Sequence, residues 1–96
     1  MAVRLVVTIT AAPGRGGEFA QAFKPRCLES RKDAGCLQFE IFQSVLDPDK
    51  FTLIELWESA DALAAHAKLQ AARPPLPEGL RVGAGEREDY EYKRTR

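Results

Sequence analysis

The sequence predicts an α+β fold in which two strand–helix–strand units build one antiparallel sheet. Three observations predict it. Segments with period-two alternation of β-branched and aromatic residues lie near the start, in the middle and near the end. Two segments with apolar residues at helical spacing separate them. The connections carry Pro, Gly and Asp, whose backbone chemistry makes turns. At 96 residues the chain reads as one domain, residues 1–96, near the lower end of domain sizes and with a limited core.

The first strand is expected over Val3 to Thr10 (VRLVVTIT), a β-branched and aliphatic run. Val3, Leu5, Val7 and Ile9 share one face, and Arg4, Val6, Thr8 and Thr10 share the other. Ala12-Pro13-Gly14 with Gly16-Gly17 makes the turn into a helix from Glu18 to about Asp33, with Phe19, Ala22, Phe23 and Cys27 at helical spacing. Pro25 lacks an amide hydrogen, so a kink or break is expected near Phe23 to Pro25, and Gly35 is expected to stop the helix.

The second strand runs from Cys36 to about Val45, with Leu37, Phe39 and Ile41 opposite Gln38, Glu40 and Phe42. Asp47-Pro48-Asp49 reads as a turn. The third strand, Phe51 to Glu58, places Phe51, Leu53, Glu55 and Trp57 opposite Thr52, Ile54 and Leu56. Ser59 is the expected N-cap of a helix from Ala60 to about Ala72, and Asp61 suits its first turn. The apolar stripe of that helix is Ala60, Leu63, Ala64, Ala67 and Ala71, with His66 on its flank. Arg73-Pro74-Pro75-Leu76-Pro77 ends it. A fourth strand is expected over Arg87 to Lys93, with Tyr90 and Tyr92 on one face, and the charged run from Arg81 to Arg96 reads as a solvated edge.

The order β-α-β-β-α-β is the ferredoxin-like arrangement, a sandwich of two helices on one face of a four-stranded sheet. Leu37, Phe39 and Ile41 form one large apolar set, and Phe51, Leu53 and Trp57 form another. Leaving the second set in water would expose more apolar surface than monomers normally carry. Two sheets packed face to face would bury it, at about 1.5–3 kcal/mol per large side chain. A two-fold homodimer is therefore expected, with Tyr90 and Tyr92 in the contact.

Composition narrows the function classes. The hydrophobic fraction of 45% and charged fraction of 29% are those of a globular protein. Fourteen basic and 14 acidic residues cancel, which argues against nucleic acid or an anionic membrane as partner. Apolar stretches are too short to span a bilayer, and Met1-Ala2-Val3-Arg4 leads straight into strand-like sequence, so a cytoplasmic location is expected. Cys27 and Cys36 read as small core residues kept reduced. One histidine and scattered carboxylates make no metal set, and the glycines after the first strand make no phosphate loop, so neither metal nor cofactor is expected.

Trp57 and His66 are the only residues of their types. An indole, an imidazole and the Glu55 carboxylate near one end of a small sheet suggest an apolar pocket with one proton-handling group. His66 is the candidate base for a phenol or quinol proton, or a helix histidine without a role. Trp57 could stack on a planar ligand or pack in the core or dimer contact. Glu55 on a mainly apolar face needs a partner, and a structural ion pair is the first expectation, a polar anchor the second. Phe39, Phe42 and Phe51 are candidate walls, while strand parity alone offers Thr8 and Gln38 as polar contacts.

With these residues in place, the sequence resembles the antibiotic-biosynthesis monooxygenase family of dimeric α+β-barrel proteins. The resembling residues are Pro13-Gly14, Gly35-Cys36-Leu37-Gln38-Phe39-Glu40, Phe51 to Trp57 with Glu58-Ser59, and Ala62-Leu63-Ala64-Ala65-His66. The resemblance implies a ferredoxin-like fold, a dimer, and a cavity between sheet and helices lined by Trp57 and His66. Quinol-oxidising relatives often continue with a second histidine after Thr-Pro; this chain reads His66-Ala67-Lys68-Leu69-Gln70-Ala71. Haem-degrading relatives carry a first-strand asparagine where this chain has Thr8 nearby.

The first functional expectation is a cofactor-independent monooxygenase acting on a quinol or aromatic polyketide-like substrate. His66 would take a proton, and Trp57 with the phenylalanines would hold the ring and exclude water. The alternatives are a non-catalytic dimeric module binding a small ligand, and an isomerase or cyclase using His66 with Glu55.

Overall fold

The computed structural model describes all residues, 1–96. Its elements are β1 (Val3–Ala11), α1 (Gly16–Ser30), β2 (Cys36–Gln43), β3 (Lys50–Trp57), α2 (Ala60–Ala71) and β4 (Arg81–Glu91). The four strands form one antiparallel sheet in the order β2-β3-β1-β4, the ferredoxin-like topology.

The register fixes which residues share a face. Val3, Leu5, Val7 and Ile9 pair with Trp57, Glu55, Leu53 and Phe51, and this is the face the helices cover. Phe19, Phe23 and Cys27 of α1 pack there with Leu5, Ile9, Phe39, Phe51, Leu53, Trp57 and Leu80 as one core. Phe51, Leu53 and Trp57 therefore do not form the bare surface expected from the sequence; they lie under the helices and are buried. The uncovered face carries Val6, Ile54, Leu56, Phe42 and Tyr90, with Arg4 among them donating to Gln38 Oε1 at 2.5 Å. Arg4 also sits 5.1 Å from the centre of the Tyr92 ring, so its alkyl stem shields this surface while its charge faces an aromatic.

Several local expectations shift. α1 starts at Gly16 and runs through Pro25 as one element to Ser30, so Asp33 falls in the turn that follows. Pro25 lies on the exposed side, and the helix stays one element through it because Phe19, Phe23 and Cys27 anchor both of its halves in the core. Gly35 opens β2 instead of stopping α1: its φ is 82°, and its carbonyl accepts the Glu58 amide at 2.9 Å. Register slips between Cys36 and Gln38, which takes Leu37 out of the face shared by Phe39 and leaves it 55% exposed. β4 begins at Arg81, well before the expected Arg87, because a second irregularity opposite Thr8 to Thr10 absorbs Gly83 and Gly85.

The Asp47-Pro48-Asp49 turn also has a long-range role. Asp49 accepts the Gly14 and Gly16 amides at 2.9 and 3.0 Å, capping α1 from the β2–β3 connection. A Cβ at Gly16 would collide with the Pro48 carbonyl oxygen, so only glycine lets this turn approach the helix start. Ser59 accepts the Ala62 amide at 3.1 Å and caps α2 locally. Asp49→Ala should lower stability by about 1–2 kcal/mol, the ordinary cost of losing an N-cap, measured by urea unfolding. An unchanged urea midpoint would show that the turn does not hold the helix.

Candidate functional site

α2 lies on the sheet mostly through small side chains, and a hollow open to solvent runs along its side. A cavity of about 320 Å³ remains, lined by Leu5, Glu55, Leu63, His66, Gln70 and Arg87 together with Ala67 and Ala71. The sheet supplies Leu5, Glu55 and Arg87, which the register puts on the helix-covered face. The helix supplies His66, its one buried residue. The sequence places His66 on the flank of an alanine stripe; in the structure the helix is rotated so that Ala62, Leu63, His66 and Gln70 turn inward. A capped start at Ser59 and the small Ala62 against Gly35 permit that rotation.

The imidazole is held on three sides. Its Nδ1 lies 2.7 Å from Asp33 Oδ2. The Trp57 ring is 4.4 Å from it, centre to centre, and the Phe39 ring 5.6 Å. Asp33 also receives Arg73 through Nη1 at 2.9 Å and Nη2 at 2.5 Å. Arg73 in turn reaches Glu29 at 2.7 Å and Gln70 at 3.0 Å. The Arg73 guanidinium, with His66 assisting, holds the Asp33 carboxyl below its usual range against the opposing effect of burial. An ionised carboxylate has no proton to give, so Nδ1 carries the hydrogen in this contact. In neutral imidazole the lone pair then sits on Nε2.

Glu55 is the second polar group of the cavity. Trp57 Nε1 donates to Glu55 Oε1 at 2.9 Å. Burial pushes the Glu55 carboxyl up, against opposing effects from Trp57, His66 and Arg87. The expected ion pair does not form: Arg87 lines the same cavity but makes its salt bridge to Asp89 at 2.7 Å. Ser30 Oγ is the one fully buried side-chain polar atom without a partner. Glu55 Oε2 and His66 Nε2 make no hydrogen bond, so both atoms open onto cavity space. One carboxyl oxygen and one ring nitrogen are thus presented to whatever enters.

The other residues singled out in the sequence are placed as follows. Trp57 is fully buried behind His66 and Glu55, where it buttresses both without lining the cavity. Phe39 and Phe51 are core, Phe39 against His66 and Trp57, and Phe51 against Phe19. Thr8, Gln38 and Phe42 lie on the uncovered face of the sheet and are not brought to this cavity; strand parity put them on the side opposite Glu55. Cys27 and Cys36 are free thiols. No three His, Cys, Asp or Glu side chains converge as a ligand set. No helix is long and apolar enough to cross a membrane.

Asp33, Arg73 and Arg87 were not legible as site residues. Asp33 and Arg73 are separated by 40 positions, and each reads locally as a helix-end residue. Arg87 could have been found from parity, since it pairs with Val7 on the face of Leu5.

Comparison with known proteins places this geometry. The family model described as antibiotic biosynthesis monooxygenase matches residues 2–73. A protein of Pseudomonas aeruginosa is similar in structure, at 29% identity and a TM-score of 0.80, over 97% of this chain and 95% of that one. A conserved protein of Methanosarcina mazei matches at 26% identity and a TM-score of 0.81, over 97% and 94% of the two chains. A candidate antibiotic biosynthesis monooxygenase of Nitrosomonas europaea shares the fold at 20% identity and a TM-score of 0.77, over 93% and 88%. No curated protein matches the chain.

The two carboxyls give opposite pH signatures. Asp33 is depressed in the fold, so its stabilisation is present above the ordinary Asp value of about 4 and is lost as pH falls below it. Glu55 is raised, so its ionisation destabilises the fold, and acidification from neutral towards about 4.3 relieves that cost. Glu55→Gln should therefore gain stability relative to the parent at pH 7 and lose that advantage by pH 4. Asp33→Asn should be less stable at pH 7, and its deficit should narrow as pH falls below about 4. Thermal unfolding of the three proteins from pH 3 to 8 checks both, and parallel curves would contradict the assignment. The matching family model, over three quarters of the chain, and this shared architecture give the conclusion: the chain belongs to the antibiotic biosynthesis monooxygenase family.

Proposed function

We propose that the protein is a dimeric monooxygenase that uses no bound cofactor and acts on a quinol or hydroxylated aromatic in the cavity beside His66. The single observation that carries this reading is the 2.7 Å contact between His66 Nδ1 and Asp33, which leaves Nε2 as a proton acceptor on the cavity wall. Family membership supports oxygen chemistry. His66 Nε2 would take the ring hydroxyl proton, giving an electron-rich anion that dioxygen oxidises. For a quinol, one oxygen atom enters the ring to give a hydroxyquinone and the other leaves as water, so the substrate supplies the electrons. Asp33 acts as a positioning residue, and it stabilises the imidazolium that forms. Leu5 and Leu63 give the ring an apolar surface to lie against.

The second reading, an isomerase or cyclase, has its own support. A carboxyl pushed up by burial and a free imidazole nitrogen open on one cavity, the arrangement of an acid and a base. Oxygen uptake separates the two. With a panel of quinols in air-saturated buffer, the parent should consume oxygen, and His66→Ala should lower kcat/KM by about 100-fold or more. Asp33→Asn should lower kcat/KM by about 10-fold or more, because the imidazole loses the carboxylate that fixes its tautomer and orientation. Product formed without oxygen uptake would decide for the isomerase; binding without turnover would leave a ligand-binding module.

The dimer forms, in this reading, through the uncovered sheet face, where Val6, Ile54 and Leu56 meet Phe42 and Tyr90 at its edges. Every residue of β4 is exposed in the single chain, including Val82 and Tyr90, which a second sheet would cover. Two free cysteines suit a cytoplasmic setting. Ile54→Lys places a charge in the middle of that face. It should convert the dimer to monomer in sedimentation at micromolar concentration, and a dimer that survives it uses another surface.

A further inference from the structure

Gln70 and Ala71 line the cavity beside His66, and they also line a second hollow of about 560 Å³. The two spaces therefore adjoin along α2. The wall of the second carries three guanidiniums, Arg26, Arg73 and Arg81, against one carboxylate, Glu78. Arg73 is engaged, since Asp33 and Glu29 take its donors. Arg26 is half-buried and donates only to the Pro74 carbonyl at 3.0 Å. Neither Arg26 nor Arg81 has a carboxylate within salt-bridge reach. Burial lowers the Arg26 pKa, and Arg81 and Arg73 lower it further, as expected for like charges gathered round one space. Two guanidiniums without a carboxylate partner, one of them partly desolvated, present planar donor forks that match an oxyanion.

We propose that this arginine-lined hollow holds the carboxylate of a ligand whose hydroxylated ring lies at His66, with Arg26 and Arg81 as its binding residues. The inference rests on the cavity at His66 being the substrate site. It adds a substrate class: phenols or quinols with a short acidic side chain. From His66 to Gln70, which lines both spaces, is one helical turn, about 6 Å at 1.5 Å per residue, and that turn sets the scale of the distance between ring and acid. A ring with two or three linking carbons spans that distance. Glu78 on the same wall disfavours a second acidic group and limits the side chain to one charge.

The test is calorimetric titration of the full chain with 3-(4-hydroxyphenyl)propionate and with its primary amide, which has the same shape and no charge. The acid should bind at least tenfold more tightly, and the difference should shrink at high salt. Arg26→Gln/Arg81→Gln should abolish the preference while leaving amide affinity unchanged. Arg81→Gln alone, at an exposed position where folding is not at stake, should reduce it. Equal binding of acid and amide, binding of neither, or a preference that persists in the double variant overturns the proposal. Oxygen uptake keeps the two readings apart. An arginine-dependent acid preference without uptake removes the oxygenase and keeps the anion site, whereas turnover of phenols with no acid preference removes the anion site alone.

Discussion

The Asp33 carboxylate joins the two halves of the molecule, and the position of the imidazole depends on it. α2 has little else to hold it. Of its twelve residues only His66 is buried, and half are alanines with little apolar area to contribute. A helix of that length is marginal in isolation, so its place on the sheet must come from tertiary contacts. Asp33, in the turn after α1, accepts from His66 in the middle of α2 and from Arg73 just beyond its end. Arg73 also reaches Glu29 near the end of α1. Removing Asp33 would leave His66 Nδ1 without its acceptor and Arg73 with only Glu29 and Gln70, so the two helices would lose the contact that both of them share. The helix carrying the candidate base is fastened by charge where most helices are fastened by apolar packing.

That difference explains why a cavity exists. The two strand–helix–strand units are related in topology but filled differently. α1 sends Phe19, Phe23 and Cys27 into the sheet, and Phe51 and Phe39 close against them. α2 faces the sheet with Ala62, Leu63, His66 and Gln70, and beside them the small, exposed Ala67 and Ala71 leave an open hollow over Leu5 and Glu55. A hollow that solvent reaches can keep polar groups in its lining at little cost. Here the lining includes a carboxyl, an imidazole, an amide and a guanidinium.

Much of the architecture was legible because it is local. Alternation located β1, β2 and β3, Ser59 announced α2, and Asp47-Pro48-Asp49 marked the turn between β2 and β3. Parity grouped Phe51, Leu53, Glu55 and Trp57 correctly but could not say which side the helices take, so the apolar set assigned to the bare surface lies in the core. A period-two rule also has no means of locating a slip such as the one at Leu37, or the start of a strand interrupted by Gly83 and Gly85. Of the site, His66, Trp57 and Glu55 could be singled out as unusual residue types. Asp33 and Arg73 could not, because their significance is a contact between distant turns that exists only after both helices have packed.

Glu55 is where the sequence keeps something the fold does not need. It sits on β3 between Leu53 and Trp57, on the face that forms the core, and it is the one carboxylate on that face of the strand. An apolar side chain there would avoid the desolvation that pushes the carboxyl up. No arginine neutralises it: Arg87 is paired with Asp89, and the one direct partner is the Trp57 indole. That indole hydrogen bond fixes the carboxyl and leaves its second oxygen facing the hollow, on the same cavity as His66 Nε2. A purely structural role would saturate both oxygens. An oriented carboxyl and an oriented imidazole thus share one wall, each with a polar atom that solvent or a ligand can reach, and their fixed spacing comes from Trp57 and Asp33 and not from each other.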